Sequence, residues 1–385
     1  MPKGLFALAL AAFGIGLTEF GIVGLLPSIS SEFNVTEQVA GYLVSGYAVS
    51  VAVGAILLTL MMLKLERKNA LTILTGFFII GNVTSALSSN YEMLLVGRII
   101  AALCHGAFFS IGAVVASDMV EKNKKGAAIS LMFAGLTISN VVGVPLGTFV
   151  GINFGWRVIF WVLSIIGVLC AIGIQTLIPK MGSNKNTNIR EEVKVFSRYQ
   201  VWISALLSVL SFSGVIGGFT YIAFTLTQVS GFSSQNIPWL LVLFGVGTFI
   251  GNIYGGKLAD KSLNKYLFFT LLLLAIVMGG FSIVASSKLF SVICLLLMGA
   301  LGLATAPGLQ VRMMKFASDA PTVASGTNIA AFNIGNALGA YLCGYALSNG
   351  YGFSSPLMVG ALLSLLASSV VILGSYHKNK KTVIA

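Results

Sequence analysis

Glu19 is the residue with the most chemistry to offer. It sits inside a run, Leu5 to Leu26, whose only other polar side chain is Thr18. An ionised carboxylate in hydrocarbon costs at least ~2.5 kcal/mol, so it needs a cation, a watery cavity or a proton. Burial favours the neutral acid, so such a group can take up a proton on one side of a barrier and release it on the other. The alternative is a structural glutamate that only makes hydrogen bonds. Arg98, also within an apolar run, is a natural partner. Glu19 is about eight residues and Arg98 about seven from the same-side ends of their runs, which at about 1.5 Å per residue places them at matching depth. The two can act as a switch, paired in one state and apart with Glu19 protonated in another. Equally, Arg98 can be an anchor for backbone carbonyls. His105 follows Arg98 by two helical turns and so shares its face. Imidazole titrates near neutral pH, which makes His105 a relay for protons from Glu19 or a polar group lining a cavity.

Amides in or beside apolar runs form a second group: Asn140, Gln228, Gln310, Asn328, Asn333 and Asn336. They can hydrogen-bond a substrate or tie helices together. Tyr47, Phe108, Phe109, Tyr221 and Phe332 can wall the same cavity, or face lipid and core. Asp118 closes an apolar run beside Lys122 and Lys125, as a gate or as an ordinary interfacial charge. Gly143, Gly147 and Gly151 recur every fourth residue and give one smooth helix face that permits close approach. Pro145 on that helix removes a backbone bond and bends it. Other chemistries are excluded. Gly251 to Lys257 reads G-x-x-x-x-G-K, but Leu258 stands where a phosphate-binding loop needs Ser or Thr, and no strand precedes it. The second histidine, His377, lies in the C-terminal tail, and neither zinc-ligand spacing nor a G-x-S-x-G elbow occurs. No cofactor is expected. Asn34-Val35-Thr36 matches a glycosylation sequon of a kind common by chance.

Membrane-spanning helices must position these groups. Of 385 residues, 57% are hydrophobic and only 9% charged, against roughly a quarter charged in a soluble domain. That excludes a soluble globule, and it excludes disorder. The apolar runs are about twenty residues long and do not alternate, which selects helices over a barrel. Twelve spans are expected, at about 5–27, 39–62, 70–88, 92–118, 127–151, 156–178, 201–228, 236–257, 266–285, 289–311, 322–348 and 354–376. The net charge is +12, and 20 of the 23 basic residues fall on one side if the N-terminus is cytoplasmic, with Arg157 and Lys288 on the other. The positive-inside rule therefore puts both termini in the cytoplasm. The basic residues lie in short gaps with no aromatic-rich basic face, which excludes nucleic acid as a partner. The first run is too long for a signal-peptide core and carries Glu19, so it reads as the first span. Cys104, Cys170, Cys294 and Cys343 lie within apolar runs and read as free thiols.

The polar stretch Lys180 to Gln200 divides the spans six and six. The expected organisation is an N-terminal six-helix bundle over 1–179, a linker over 180–200 and a C-terminal bundle with a short tail over 201–385. Within the linker, 189–196 can form a short amphipathic surface helix. Thr59 to Lys68 after the second span and Gly256 to Lys265 after the eighth are 197 positions apart. Asn140-Val141-Val142-Gly143 and Asn336-Ala337-Leu338-Gly339 are 196 apart. The two offsets argue for a duplication, hence an all-α integral membrane protein of two pseudo-symmetric six-helix bundles. Such bundles hold a substrate site near the midplane, between the halves. The sequence holds no catalytic cluster, soluble signalling domain or ATPase domain. That favours a carrier driven by an ion gradient over a membrane enzyme or sensor.

Several segments in this order resemble the major facilitator superfamily, in particular its twelve-helix drug:proton antiporters and their arabinose-efflux-permease branch. They are Thr18-Glu19-Phe20 with Gly24-Leu25-Leu26-Pro27, Gly97-Arg98, His105-Gly106-Ala107-Phe108-Phe109, Gly135-Leu136-Thr137, Gly143-Val144-Pro145-Leu146-Gly147, Gly155-Trp156-Arg157, Ala306-Pro307 with Leu309-Gln310, and Ala331-Phe332-Asn333-Ile334-Gly335. The superfamily's loop motif, G-x-L-A-D-R-x-G-R-K, is kept in the second half as Gly256-Lys257-Leu258-Ala259-Asp260-Lys261. In the first half Thr59 and Leu63 replace its Gly and Asp, leaving Lys64, Arg67 and Lys68. The resemblance implies alternating access in a bacterial cytoplasmic membrane, powered by protons. The fifth-span motif Gly143 to Gly147 implies export of a small amphipathic molecule: a drug, a sugar derivative or a nucleoside-like compound. Uptake by proton symport is the alternative. One chain suffices as the transport unit.

Overall fold

The computed structural model describes residues 1–62, 65–121, 125–180, 194–317 and 321–383. Among these residues there are twelve long helical segments and no strand. In order they are Gly4–Phe33, Glu37–Met62, Arg67–Ala86, Tyr91–Asp118, a fifth built from Lys125–Ile138 and Val144–Phe154, Arg157–Leu177, Tyr199–Thr220, Ile237–Lys261, Leu263–Val284, Lys288–Phe316, Pro321–Ser348 and Ser355–Val383. Eleven contain a stretch long and apolar enough to cross a membrane. The remaining one, Pro321–Ser348, is the eleventh in order and carries Asn328, Asn333 and Asn336. Helices form because hydrocarbon offers the backbone no hydrogen-bond partner, so each N–H must be satisfied within its own segment. The many Ser and Thr residues fit the same constraint. Thr18, Thr75, Ser164 and Thr220 donate their hydroxyls to the carbonyl four residues back.

The first span departs from the expected continuous helix. Its helix stops at Phe20, passes through a 3-10 turn at Val23–Leu25, and restarts as Leu26–Phe33. Pro27 explains the restart, since proline lacks the N–H that would bond the carbonyl of Val23 and its ring clashes there. Asn34, with φ +51, ends the second piece in the left-handed conformation. The fifth span is interrupted in a similar way. A wide π turn over Ser139–Gly143 precedes Pro145, which occupies the first turn of Val144–Phe154. Pro145 thus stands in the first turn of the second piece, where its missing N–H breaks no bond within that piece.

The chain forms two compact units, Met1–Val35 with Tyr42–Thr187, and Thr36–Gly41 with Asn188–Ala385. In the first, the first span packs on the fifth and sixth, and the third on the fourth and sixth. In the second, the seventh packs on the eleventh and twelfth, and the ninth on the tenth and twelfth. The pattern recurs with a shift of six spans. Glycines carry the same register. A Cβ on Gly54 would strike the backbone of Leu103, and one on Gly251 that of Ala300. Both members of the second pair lie 197 positions beyond those of the first. The face of Gly143, Gly147 and Gly151 lies on the first span, against Phe13, Leu17 and Leu25 respectively. Most of the surface helix expected over 189–196 lies outside the described residues; Lys194–Ser197 is a 3-10 turn with Val195 fully buried. All four cysteines are free thiols.

The glycine contacts make a paired prediction. Gly251→Ala forces Cβ into the Ala300 backbone and should destabilise the fold by about 1–3 kcal/mol. A Cβ on Gly280 would meet nothing within 4 Å, so Gly280→Ala should stabilise by about 0.4–1 kcal/mol. Thermal unfolding in detergent reads both, and shifts of the same sign would contradict this packing.

Candidate functional site

The break in the first span creates the site. A helix ending at Phe20 leaves its last carbonyls without intrahelical donors. Gly21 N–H serves Leu17 O at 2.8 Å, while Arg98, from the fourth span, serves the next two. Its Nη1 donates to the Thr18 carbonyl, and its Nη2 to the Glu19 carbonyl at 3.5 Å. Its Nε donates to the Leu43 carbonyl of the second span at 3.2 Å. Arg98 is wholly buried, and its charge stands at the negative end of the truncated helix, where a cation is stabilising. The guanidinium also lies 4.3 Å from the Tyr47 ring centroid, within cation–π range. Arg98 thus takes the anchoring geometry, tying together three spans of one unit.

Tyr47 carries the arrangement onward. Its hydroxyl is 3.5 Å from His105 Nδ1, and the same nitrogen is 3.9 Å from Glu19 Oε2. Glu19, Tyr47 and His105 are all buried. The imidazole packs on Phe109, which stacks on Phe133 at 5.1 Å. An acid and an imidazole this close form an ion pair when the ring is protonated. One small movement, or one water, brings them within proton-transfer reach. Phe108 turns the other way and lines a small apolar void with Ala11, Ile15 and Phe78.

The other candidates are dispersed. Asp118 pairs with Arg67; Lys122 lies outside the described residues, as does the side chain of Lys125. Asn140 is half-buried in the π turn. Tyr221 is fully buried and donates to the Ala340 carbonyl at 3.1 Å. Gln228 is exposed in the turn that ends the seventh span. Gln310 accepts from Asn328 at 2.6 Å, and Asn328 accepts from Ser208 at 2.6 Å, a chain linking the tenth, eleventh and seventh spans. Asn333 is buried, donates to the Ile329 carbonyl, and keeps its Oδ1 without a donor. Asn336 is buried beside it in sequence. Gly256, Asp260 and Lys261 lie in the helix Ile237–Lys261, with side chains outside those described.

One cluster escaped the sequence reading. Glu32 accepts from Trp156 Nε1 at 2.6 Å and from Arg157 Nη1 at 2.5 Å, while Arg157 Nε and Nη2 both reach the Ser88 carbonyl. Arg157 also lies 4.1 Å from the Trp156 ring. The signal was the Gly155-Trp156-Arg157 triplet, with Gly155 at φ +93 turning the chain; its partner Glu32 is 125 residues from Arg157 and unmarked.

Fold and site together define a helical membrane transporter. The family model described as Major Facilitator Superfamily matches residues 8–340 and 231–384. The chain is 41% identical over 379 residues to the inner membrane transport protein YdhP of Escherichia coli (strain K12), covering 98% of this chain and 97% of that protein. It is 29% identical over 371 residues to a chloramphenicol resistance protein of Streptomyces lividans, covering 95% of each. In fold it is similar to a solved D-xylose-proton symporter, with a TM-score of 0.79, 16% identity and 96% of each chain covered. The chain belongs to the Major Facilitator Superfamily.

Arg98 can be tested apart from transport. Arg98→Met keeps the bulk and leaves buried carbonyls without donors, at about 1–3 kcal/mol for each group left unsatisfied. The thermal midpoint in detergent should fall clearly, and Arg98→Lys should restore only part of it. A midpoint unmoved by Arg98→Met would overturn the anchoring role.

Proposed function

We propose that this transporter exports a small amphipathic molecule from the cytoplasm, driven by protons flowing inward, with both termini cytoplasmic. The observation that carries this is Glu19, a buried acid in mid-span with His105 Nδ1 3.9 Å away. An acid in hydrocarbon persists where it has a job, and taking up and releasing a proton is the one this pair fits. Glu19 is assigned as proton carrier and His105 as its relay. Arg98, with donors on the carbonyls of Thr18, Glu19 and Leu43, is assigned as a cation anchored by the backbone that also attracts the ionised form of Glu19. Tyr47 orients His105.

Alternating access of the two six-helix bundles, 1–179 and 201–385, supplies the exposure of Glu19 first to one side and then to the other. Asp118 with Arg67 is assigned as a gate at the cytoplasmic end of the first bundle, and Gly256, Asp260 and Lys261 as its second-bundle counterpart. Gly143, Pro145 and Gly147 give the fifth span a face that slides on the first. Phe108, Asn140, Tyr221, Gln228, Gln310, Asn333 and Asn336 are assigned to substrate contact, with Asn333 Oδ1 free to accept a hydrogen bond. The proton gradient replaces any cofactor, and one chain forms the transport unit. Export is supported by the fifth-span motif and by a relative named for chloramphenicol resistance. Likeness of fold to a symporter bears on architecture alone.

Everted membrane vesicles separate the readings. With an acidic lumen, vesicles holding the protein should accumulate an exported compound drawn from a panel of phenicols, sugars and nucleosides. Glu19→Gln should abolish accumulation while a ligand-induced thermal shift persists. Gradient-driven accumulation that survives in Glu19→Gln would refute the role of Glu19. Accumulation only in right-side-out vesicles would identify an uptake symporter.

A further inference from the structure

We infer that the Tyr221 hydroxyl is a peg, and that its socket between Gly41 and Gly344 is a latch which releases when the outer end of the transporter opens. The starting point is an irregularity in how the chain divides. Thr36–Gly41, at the start of the second span, belongs to the second compact unit, while Val35 before it and Tyr42 after it belong to the first. The helix is well begun there. Thr36 Oγ1 accepts from the Val39 N–H at 3.3 Å, and the Thr36 carbonyl accepts from the Ala40 N–H at 2.9 Å. Ala40 and Gly41 are both buried.

Tyr221 holds this segment. The seventh helix stops at Thr220, and Tyr221, with φ −104 and ψ 11, stands at the break before Ile222–Phe224. Its side chain is fully buried, so its hydroxyl requires a partner; it donates to the Ala340 carbonyl of the eleventh span at 3.1 Å. A Cβ on Gly41 would overlap that hydroxyl oxygen, and so would a Cβ on Gly344. The oxygen fits only because neither wall carries a side chain. Gln38 closes one edge, its Cγ 3.1 Å from where a Cβ on Gly344 would stand. The two walls are held differently. The eleventh span is fixed to the seventh along its length: a Cβ on Gly335 would strike the Val209 carbonyl, one on Gly339 would strike the Ser213 backbone, and Ser213 Oγ donates to the Gly335 carbonyl at 2.9 Å. Peg and Gly344 wall therefore move as one piece. The Gly41 wall is tied through the covalent chain, on both sides, to residues of the first unit. Movement that opens this end must draw Gly41 off the peg. The inference rests on the alternating access and cytoplasmic termini proposed above, which make this the outer end. It also deepens the role given there to Tyr221: once Gly41 withdraws, the hydroxyl oxygen is open to a substrate on that side.

Amide hydrogen exchange on the purified full-length protein in lipid nanodiscs tests this, comparing peptides over 36–44 with peptides over 201–220. Gly41→Ala puts a methyl group where the hydroxyl sits and should speed exchange over 36–44 by about tenfold, leaving 201–220 unchanged. Tyr221→Ala empties the socket, and in that background Gly41→Ala should add nothing, because both changes act through one atom. Tyr221→Phe keeps the ring and removes the hydrogen bond, and should raise exchange over 36–44 by about two- to tenfold. Unchanged exchange over 36–44 in Gly41→Ala, an equal rise over 201–220, or a full Gly41→Ala effect in the Tyr221→Ala background would each overturn the latch. Should Gly41→Ala not fold, Tyr221→Phe decides alone, and no rise over 36–44 overturns the proposal. None of these readouts needs a substrate, a pH gradient or Glu19, so failure of the latch and failure of proton-coupled export are told apart.

Discussion

The first unit is organised around one conflict and its resolution: a helix that stops in hydrocarbon and an arginine that completes it. Hydrocarbon supplies no donor for the carbonyls left when the first helix ends at Phe20, and an unmet carbonyl there is costly. Arg98 meets those of Thr18 and Glu19, and that of Leu43 besides. The same contacts place a positive charge against the negative end of the helix. Break and arginine therefore depend on each other. With the guanidinium fixed, Tyr47 lies on its face, His105 stands against Tyr47, and Glu19 comes within 3.9 Å of His105. The positions of the ionisable groups follow from a requirement of the backbone.

The two units share a packing plan and differ in chemistry. Gly54 on Leu103 and Gly251 on Ala300 keep a common register. Yet the interior of the first unit holds Glu19, Arg98 and His105, whereas the second, among the described residues, buries one charged side chain, Arg312, beside neutral chains of Ser208, Asn328 and Gln310 and of Ser211 with Thr305. Where the spans meet the following loop the contrast runs in charge. Arg67 pairs with Asp118 in the first unit, while Arg312 donates to Asn264 at 2.6 Å in the second. Arg67 and Asn264 are themselves 197 positions apart, but Arg312 lies 194 beyond Asp118, so the two polar pairs share the register on one side only. The two units thus keep the glycine register while their polar and charged groups differ.

Much of this was legible in the sequence, for physical reasons that also mark where legibility ends. Helix number and limits follow from hydrocarbon thickness and a rise of about 1.5 Å per residue. The shared face of Arg98 and His105 follows from helical periodicity, and the smooth face of Gly143, Gly147 and Gly151 from residue size. The break after Phe20 had a sign in Pro27, but the apolar run continues across it, and hydropathy does not register a missing backbone bond. The π turn at Ser139–Gly143 was hidden in the same way beside Pro145. The depth rule brought Glu19 and Arg98 to one level without saying which atoms meet; the guanidinium reached main-chain oxygens, which no side-chain pattern encodes. Glu32 with Trp156 and Arg157 is a contact across 125 residues, of a kind a single sequence marks on one side only.

An arginine held by carbonyls differs in consequence from one held by a carboxylate. A cation whose place depended on Glu19 would be released when that acid gained a proton, leaving a buried charge unpaired at a cost of several kcal/mol. Carbonyl oxygens do not titrate. The carbonyl partners of Arg98 therefore stay available whether or not Glu19 is charged, while the Glu19 carboxylate adds an electrostatic attraction to the guanidinium. In the mechanism proposed above, Glu19 and His105 exchange a proton while these backbone contacts persist. On that proposal, movement of the bundles, rather than loss of the carbonyl contacts of Arg98, decides when the proton is gained and lost.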